Sequence, residues 1–109
     1  PVHPASLSSI FIDTKLRGEL GYAGVVITDD LDMGAITDSY SFDQKIIRAI
    51  QAGNDMLILS NNIKTYDKDV VIKARSAVEK ALQDGTLEWS QIMDSYNRIQ
   101  ALKQKYKIL

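Results

Sequence analysis

Apolar residues change their period several times along the chain, and each change marks an element. Pro1-Val2-His3-Pro4 opens in extended or turn structure, because proline moves its predecessor out of the helical region. Leu7, Ile10, Phe11 and Leu16 then recur at helical spacing, which predicts a helix with these side chains on one side and Ser6 or Ser8 as its cap. Gly18 and Gly21 loosen its end. Val25-Val26-Ile27 is a short β-branched run, the pattern of a strand buried on both faces, and it stops at Thr28-Asp29-Asp30. Ser41-Phe42-Asp43-Gln44 fits a capping box; Ile46, Ile47 and Ile50 follow as a buried stripe, and Gly53 supplies the stop. Met56-Leu57-Ile58-Leu59 is a second apolar run, ending in Ser60-Asn61-Asn62. A third helix is predicted from Asp67 to Asp84, with Val71, Ala74, Val78, Ala81 and Leu82 inward and Gly85 closing it. The last helix starts near Ser90 and turns Ile92, Tyr96, Ile99, Leu102 and Tyr106 inward, with Lys and Arg on its outer face.

Helix, strand, helix, strand, helix, helix is an α/β order, and strands of this kind belong to a parallel sheet built from β/α units. Two such strands, or three with Val2-His3 as a remnant, make a poor sheet alone, since apolar strands need neighbours on both sides. The expectation is therefore a portion of something larger.

Composition narrows the chemistry. With 109 residues, 45% hydrophobic and 25% charged, the chain suits one modest domain, and a net charge of -1 gives no reason to expect a nucleic-acid partner. No apolar stretch reaches the roughly 20 residues needed to span a bilayer. There is no cysteine, hence no disulfide framework, zinc-thiolate site or thiol nucleophile, and one histidine cannot build a multi-histidine metal site. No metal, nucleotide or redox cofactor is expected.

What remains is carboxylate chemistry. In Gly24-Val25-Val26-Ile27-Thr28-Asp29-Asp30-Leu31-Asp32-Met33-Gly34-Ala35-Ile36, aspartates stand just past the C-terminal end of a buried strand. In α/β barrels that face assembles active sites, because strand ends are rigid and the loops beyond them are free to vary. A carboxylate there can serve as nucleophile, general base or metal ligand. From spacing alone, Asp30 or Asp32 equally suits the cap of a following helix.

The string Pro4-Ala5-Ser6-Leu7-Ser8, then Leu20-Gly21-Tyr22-Ala23 running into that aspartate segment, resembles the signature of family 3 glycoside hydrolases. Ala49-Ile50-Gln51-Ala52-Gly53-Asn54-Asp55-Met56-Leu57 continues the likeness in order, and Ser95 to Tyr106 is similar to the helix that ends that family's barrel domain. The Asp-Asp-Leu-Asp-Met-Gly form is closer to the β-N-acetylglucosaminidase branch than to the β-glucosidases. The resemblance implies the C-terminal part of a TIM (β/α)8 barrel, about the last two to three β/α units plus a terminal helix, incomplete as a barrel since a whole one takes roughly 250 residues.

By the same resemblance Asp29 matches the catalytic nucleophile of a retaining hydrolase, and Asp30 and Asp32 stand as supporting groups. Met33 and Asn61 are candidate substrate contacts; Met33 equally reads as core filler, and Ser60, Asn61 and Asn62 as ordinary strand-end polar residues. The branch's acid/base is a histidine on a loop upstream of Pro-Ala-Ser-Leu-Ser, which His3 does not match. The implied partner is a carbohydrate bearing terminal β-linked N-acetylglucosamine, from muropeptides or chitin-derived sugars; a β-glucosidase, a β-xylosidase or a non-catalytic module derived from the family are the alternatives. Taken alone, the 109 residues are expected to lack activity and to self-associate or pair with an N-terminal piece through their open strand edges.

Overall fold

Ser41 starts a helix by purely local means. Its Oγ accepts the Gln44 amide at 3.2 Å while Gln44 Oε1 accepts the Ser41 amide at 2.9 Å, so the expected capping box closes in both directions. The helix ends at Gly53, whose φ of 111° lies in the left-handed region; a Cβ there would also meet Ile12 at 2.9 Å. The computed structural model describes residues 7–32, 40–60 and 68–107. In chain order these form α1 (Ile10–Glu19), β1 (Ile27–Asp30), α2 (Phe42–Ala52), β2 (Met56–Ile58), α3 (Val70–Asp84) and α4 (Trp89–Tyr106).

The strands pair in parallel, Ile27 beside Met56 and Asp30 beside Ile58, with an irregularity between. The α/β alternation is thus present, as an open two-stranded sheet among the described residues. β1 nevertheless starts later and runs further than the apolar run predicts. The Val26 carbonyl accepts the amides of Asp55 at 2.8 Å and Met56 at 3.2 Å, and its own amide goes to the Asp55 carboxylate, so Val26 is committed before the ladder begins. Beyond it, Thr28 Oγ1 accepts the Ile58 amide at 2.8 Å and the Ile58 carbonyl accepts the Leu31 amide at 2.9 Å, which carries the strand through its aspartates.

The two faces of the sheet differ. On one, Leu57 and Leu59 pack with Tyr40 against the buried cluster of Leu7, Leu31 and Ala49, the last supplied by α2. On the other, Ile27, Met56 and Ile58 are 53%, 41% and 44% exposed. Burial on both faces, predicted from the apolar runs, does not hold among the described residues. α2 also packs against α3, where Ala77 and Ala81 lie buried one turn apart, as are Ala49 and Ala52 of α2; small side chains let such helices approach closely. α3 closes at Gly85 with φ 85°, and the Leu87 amide reaches back to the Ala81 carbonyl at 3.1 Å, burying Leu87.

Three predicted helix faces are corrected. α1 is wound with i→i+5 hydrogen bonds, as from the Leu20 amide to the Lys15 carbonyl at 2.9 Å, and a wider turn changes which positions share a side. Ile12 is buried there, while Ile10 and Phe11 are exposed. Val71 lies in the first turn of α3 and Tyr96 and Tyr106 on α4, all exposed, because no described element covers those positions.

Candidate active site

The C-terminal ends of β1 and β2 carry the aspartates. Along β1, Thr28 is buried, Asp29 exposed and Asp30 intermediate, the alternation that a pleated strand imposes. Asp29 therefore shares the open face with Ile27, while Thr28 and Asp30 lie on the other. Asp30 Oδ1 accepts the Asp32 amide at 3.0 Å and the Ser60 amide at 3.1 Å, joining the turn after β1 to the end of β2. Hydrogen bonds from the Ser60 side chain first, then from the Asp32 amide, hold the Asp30 carboxyl below its ordinary value against a smaller opposing effect of burial. Asp30 is thus a bracing group for the strand ends.

Asp32 is turned inward. Its Oδ1 lies 3.1 Å from Lys45 Nζ, with side chains only 2% and 4% exposed, and Lys45 also stands 5.7 Å from the centre of the Phe42 ring. Lys45 sits one residue before Ile46 on the buried side of α2, so this pair anchors the loop after β1 to the helix that follows. A buried pair of this kind is stable only while both partners are present.

At the opposite end of the sheet Asp55 gathers a denser cluster. Its fully buried carboxylate accepts from Arg17 Nη2 at 2.7 Å, Ser95 Oγ at 2.6 Å, Arg98 Nε at 3.0 Å and the Val26 amide at 3.1 Å. Arg17 goes on to the Gly24 and Gly53 carbonyls at 2.9 and 3.0 Å. Burial alone would raise the Asp55 carboxyl, but the hydrogen bonds from Arg98, Ser95 and Val26 and the charge of Arg17 outweigh it, and the net direction is downward. An open groove of about 1020 Å³ adjoins this end, lined by Tyr22, Val25, Ile27, Arg98, Leu102 and Tyr106; Asp29 is not among its walls.

Residues 2–102 match the glycosyl hydrolase family 3 N terminal domain. The chain belongs to glycosyl hydrolase family 3. An uncharacterized secreted glycosyl hydrolase of Arthroderma benhamiae is 34% identical over 103 residues, covering 94% of this chain and 28% of that protein. A beta-hexosaminidase of Alkalilimnicola ehrlichii is 42% identical over 59 residues, 54% of this chain and 17% of its own length. Among solved structures, the family 3 beta-N-acetylglucosaminidase of Paenibacillus sp. str. FPU-7 superposes with a TM-score of 0.87 at 35% identity, over 99% of this chain and 20% of that one. The chain spans less than a third of the length of each of these relatives.

Within this family 3 chain the structure brings Asp29, Asp30 and Asp32 to one strand end and divides them by orientation. Met33 and Asn61, the expected substrate contacts, lie outside the described residues, as do His3 and Asn62. Ser60 is at the same end and donates its amide to Asp30. Among the described residues no three acidic or histidine groups converge on a metal-sized space. Sequence reasoning did not single out Thr28, Lys45, or the cluster of Asp55 with Arg17, Ser95 and Arg98. Lys45 had a signal, since it falls on the stripe of Ile46, Ala49 and Ala52. Asp55 was visible only as part of the family likeness and its partners were not, because its arginines stand 38 and 43 residues away along the chain.

Proposed function

We propose that this chain is the nucleophile-bearing part of a retaining glycoside hydrolase that removes terminal β-linked N-acetylglucosamine, with Asp29 as the nucleophile. One observation carries the reading. Of the three aspartates at the C-terminal end of the sheet, Asp30 braces the strands and Asp32 is locked to Lys45, while Asp29 alone lies on the exposed face of its strand. In the first step an Asp29 oxygen attacks the anomeric carbon as the glycosidic C–O bond breaks and the leaving oxygen takes a proton from a general acid outside these residues; in the second, water gives a proton back to that group, attacks the same carbon and frees the carboxylate. The substrate class is supported by the beta-hexosaminidase and beta-N-acetylglucosaminidase relatives.

The same reading makes these residues the last β/α units of a TIM barrel. Asp29 lies on an open sheet face and does not line the groove beside the Asp55 cluster, and residues 1–109 alone are expected to be inactive. The test is to incubate a complete family 3 protein containing this chain with a 5-fluoro-N-acetylglucosaminyl fluoride, which keeps the acetamido group at C2 and releases slowly from the enzyme, and map the adduct by peptide mass spectrometry. A glycosyl adduct on Asp29, absent from Asp29→Ala, is the expected outcome. An adduct on another carboxylate, or cleavage of 4-nitrophenyl N-acetyl-β-glucosaminide undiminished in Asp29→Ala, removes the assignment.

A further inference from the structure

The Asp55 cluster lies at the end of the sheet away from Asp29, yet it holds the strand that bears Asp29. It grips β1 at one residue from two directions: the Val26 amide enters the Asp55 carboxylate at 3.1 Å, and the Val26 carbonyl accepts the Asp55 backbone amide at 2.8 Å. Val26 precedes Asp29 by about 10 Å of extended chain. The carboxylate is itself immobilised, by Arg17 from α1 and by Ser95 and Arg98 from α4. With its side chain fully buried, any other orientation would leave guanidinium groups facing no anion. Past Val26 the strand is rigid, since Thr28 and Asp30 each bind a backbone amide at or just beyond β2.

We propose that Asp55 is a positioning residue: by clasping Val26 it sets the longitudinal placement of β1, and with it the point at which the Asp29 carboxylate is presented. The functional meaning of that placement rests on reading Asp29 as the nucleophile; the mechanical coupling does not. Among the described residues Arg98 reaches only the carboxylate and secures α4, so its loss weakens the fold without releasing Val26.

The experiment compares the unmodified protein with Asp55→Asn, Asp55→Glu and Arg98→Gln by NMR, reading hydrogen exchange of the Val26 amide and the carboxyl ¹³C shift of Asp29. Asp55→Asn is expected to quicken Val26 exchange about tenfold beyond the effect of Arg98→Gln. It is also expected to displace the Asp29 resonance, with Asp55→Glu displacing it less. Arg98→Gln is expected to lower Tm while leaving that resonance in place. An Asp29 resonance unmoved in Asp55→Asn, or moved equally by Arg98→Gln, overturns the proposal. Should Asp55→Asn fail to fold, the unmodified protein decides: on acidification the Val26 amide nitrogen must follow the Asp55 carboxyl carbon, and indifference to it overturns the clasp. Coupling that survives while no adduct forms on Asp29 would refute the glycosidase reading and leave the positioning intact.

Discussion

The two ends of the sheet use aspartate in opposite ways. At the N-terminal end, Asp55 is wholly buried and accepts from donors on every side, so its carboxylate is consumed by the fold. At the C-terminal end, Asp29 stands exposed on the open face, while its neighbours Asp30 and Asp32 take up the bracing that the strand end requires. A carboxylate that must attack a substrate has to be presented; one that must hold helices together has to be hidden and paired. Parallel β/α folds separate these duties along the strand axis, with chemistry at the C-terminal end and stability at the other.

Exchanging the substitution between the ends gives the largest expected effect. In a complete family 3 protein, Asp29→Ala should lower kcat on an aryl N-acetyl-β-glucosaminide by on the order of a thousandfold or more, as loss of a nucleophile does elsewhere. Its Tm should hardly move, because exposed substitutions usually stay within about 0.5 kcal/mol. A large fall in Tm with little loss of kcat would reverse the roles assigned to the two ends.

Asp55→Ala should act first on stability, destabilising by about 3–5 kcal/mol because two guanidinium groups lose their buried counter-charge. Chemical denaturation measures this directly. The same cluster fixes a pH dependence. Because the folded Asp55 carboxyl lies below its ordinary value of 3.8, it contributes stability above that value and loses the contribution as pH falls through the lower, folded one. The stability attributable to Asp55 should therefore be flat from neutrality down to about pH 4 and decline only below it. In Asp55→Asn that acid-limb decline should shrink; an identical acid limb in both proteins would show that other carboxyls govern it.

Next in size is the Asp32–Lys45 pair, a structural element at the chemical end. Lys45→Met leaves Asp32 buried without its cation and should cost about 3 kcal/mol, whereas Lys45→Met with Asp32→Leu should recover much of the loss, since apolar replacement of a whole buried pair is often neutral. Equal losses in the single and double variants would mean that Asp32 matters through contacts other than Lys45.

How much of this was legible follows from the range of the interactions. α2 was readable almost residue by residue, because its capping box and the left-handed Gly53 are local to the chain. The Thr28-Asp29-Asp30-Leu31-Asp32 string was readable as a family signature and as a strand end. Its internal division was not, since the strand's true bounds depend on Thr28 and Asp30 reaching β2 some 30 residues later. The Asp55 cluster joins three distant segments, and no periodicity announces that. α1 misled for a different reason: helical spacing presumes i→i+4 winding, and i→i+5 winding buries Ile12 while turning Ile10 and Phe11 outward.

The smallest expected effect belongs to Thr28, and it asks how sharp the division between the ends is. Thr28→Val keeps the shape and β-branching that suit a strand, so any loss reports the missing oxygen. That oxygen accepts the Ile58 amide at 2.8 Å, and an orphaned amide costs about 1–3 kcal/mol when water is excluded. Ile58 is 44% exposed on the open sheet face, which lets solvent approach, so the low end applies: about 1 kcal/mol, or a fall in Tm of roughly 4–8 °C for a domain of this size. A drop as large as that of Asp55→Ala would show that the C-terminal end bears as much of the fold as the other, and the contrast would fail. A small drop accompanied by a shift of the Asp29 carboxyl resonance would show that the pleat next to Asp29 is tuned by a bond the fold hardly needs for stability.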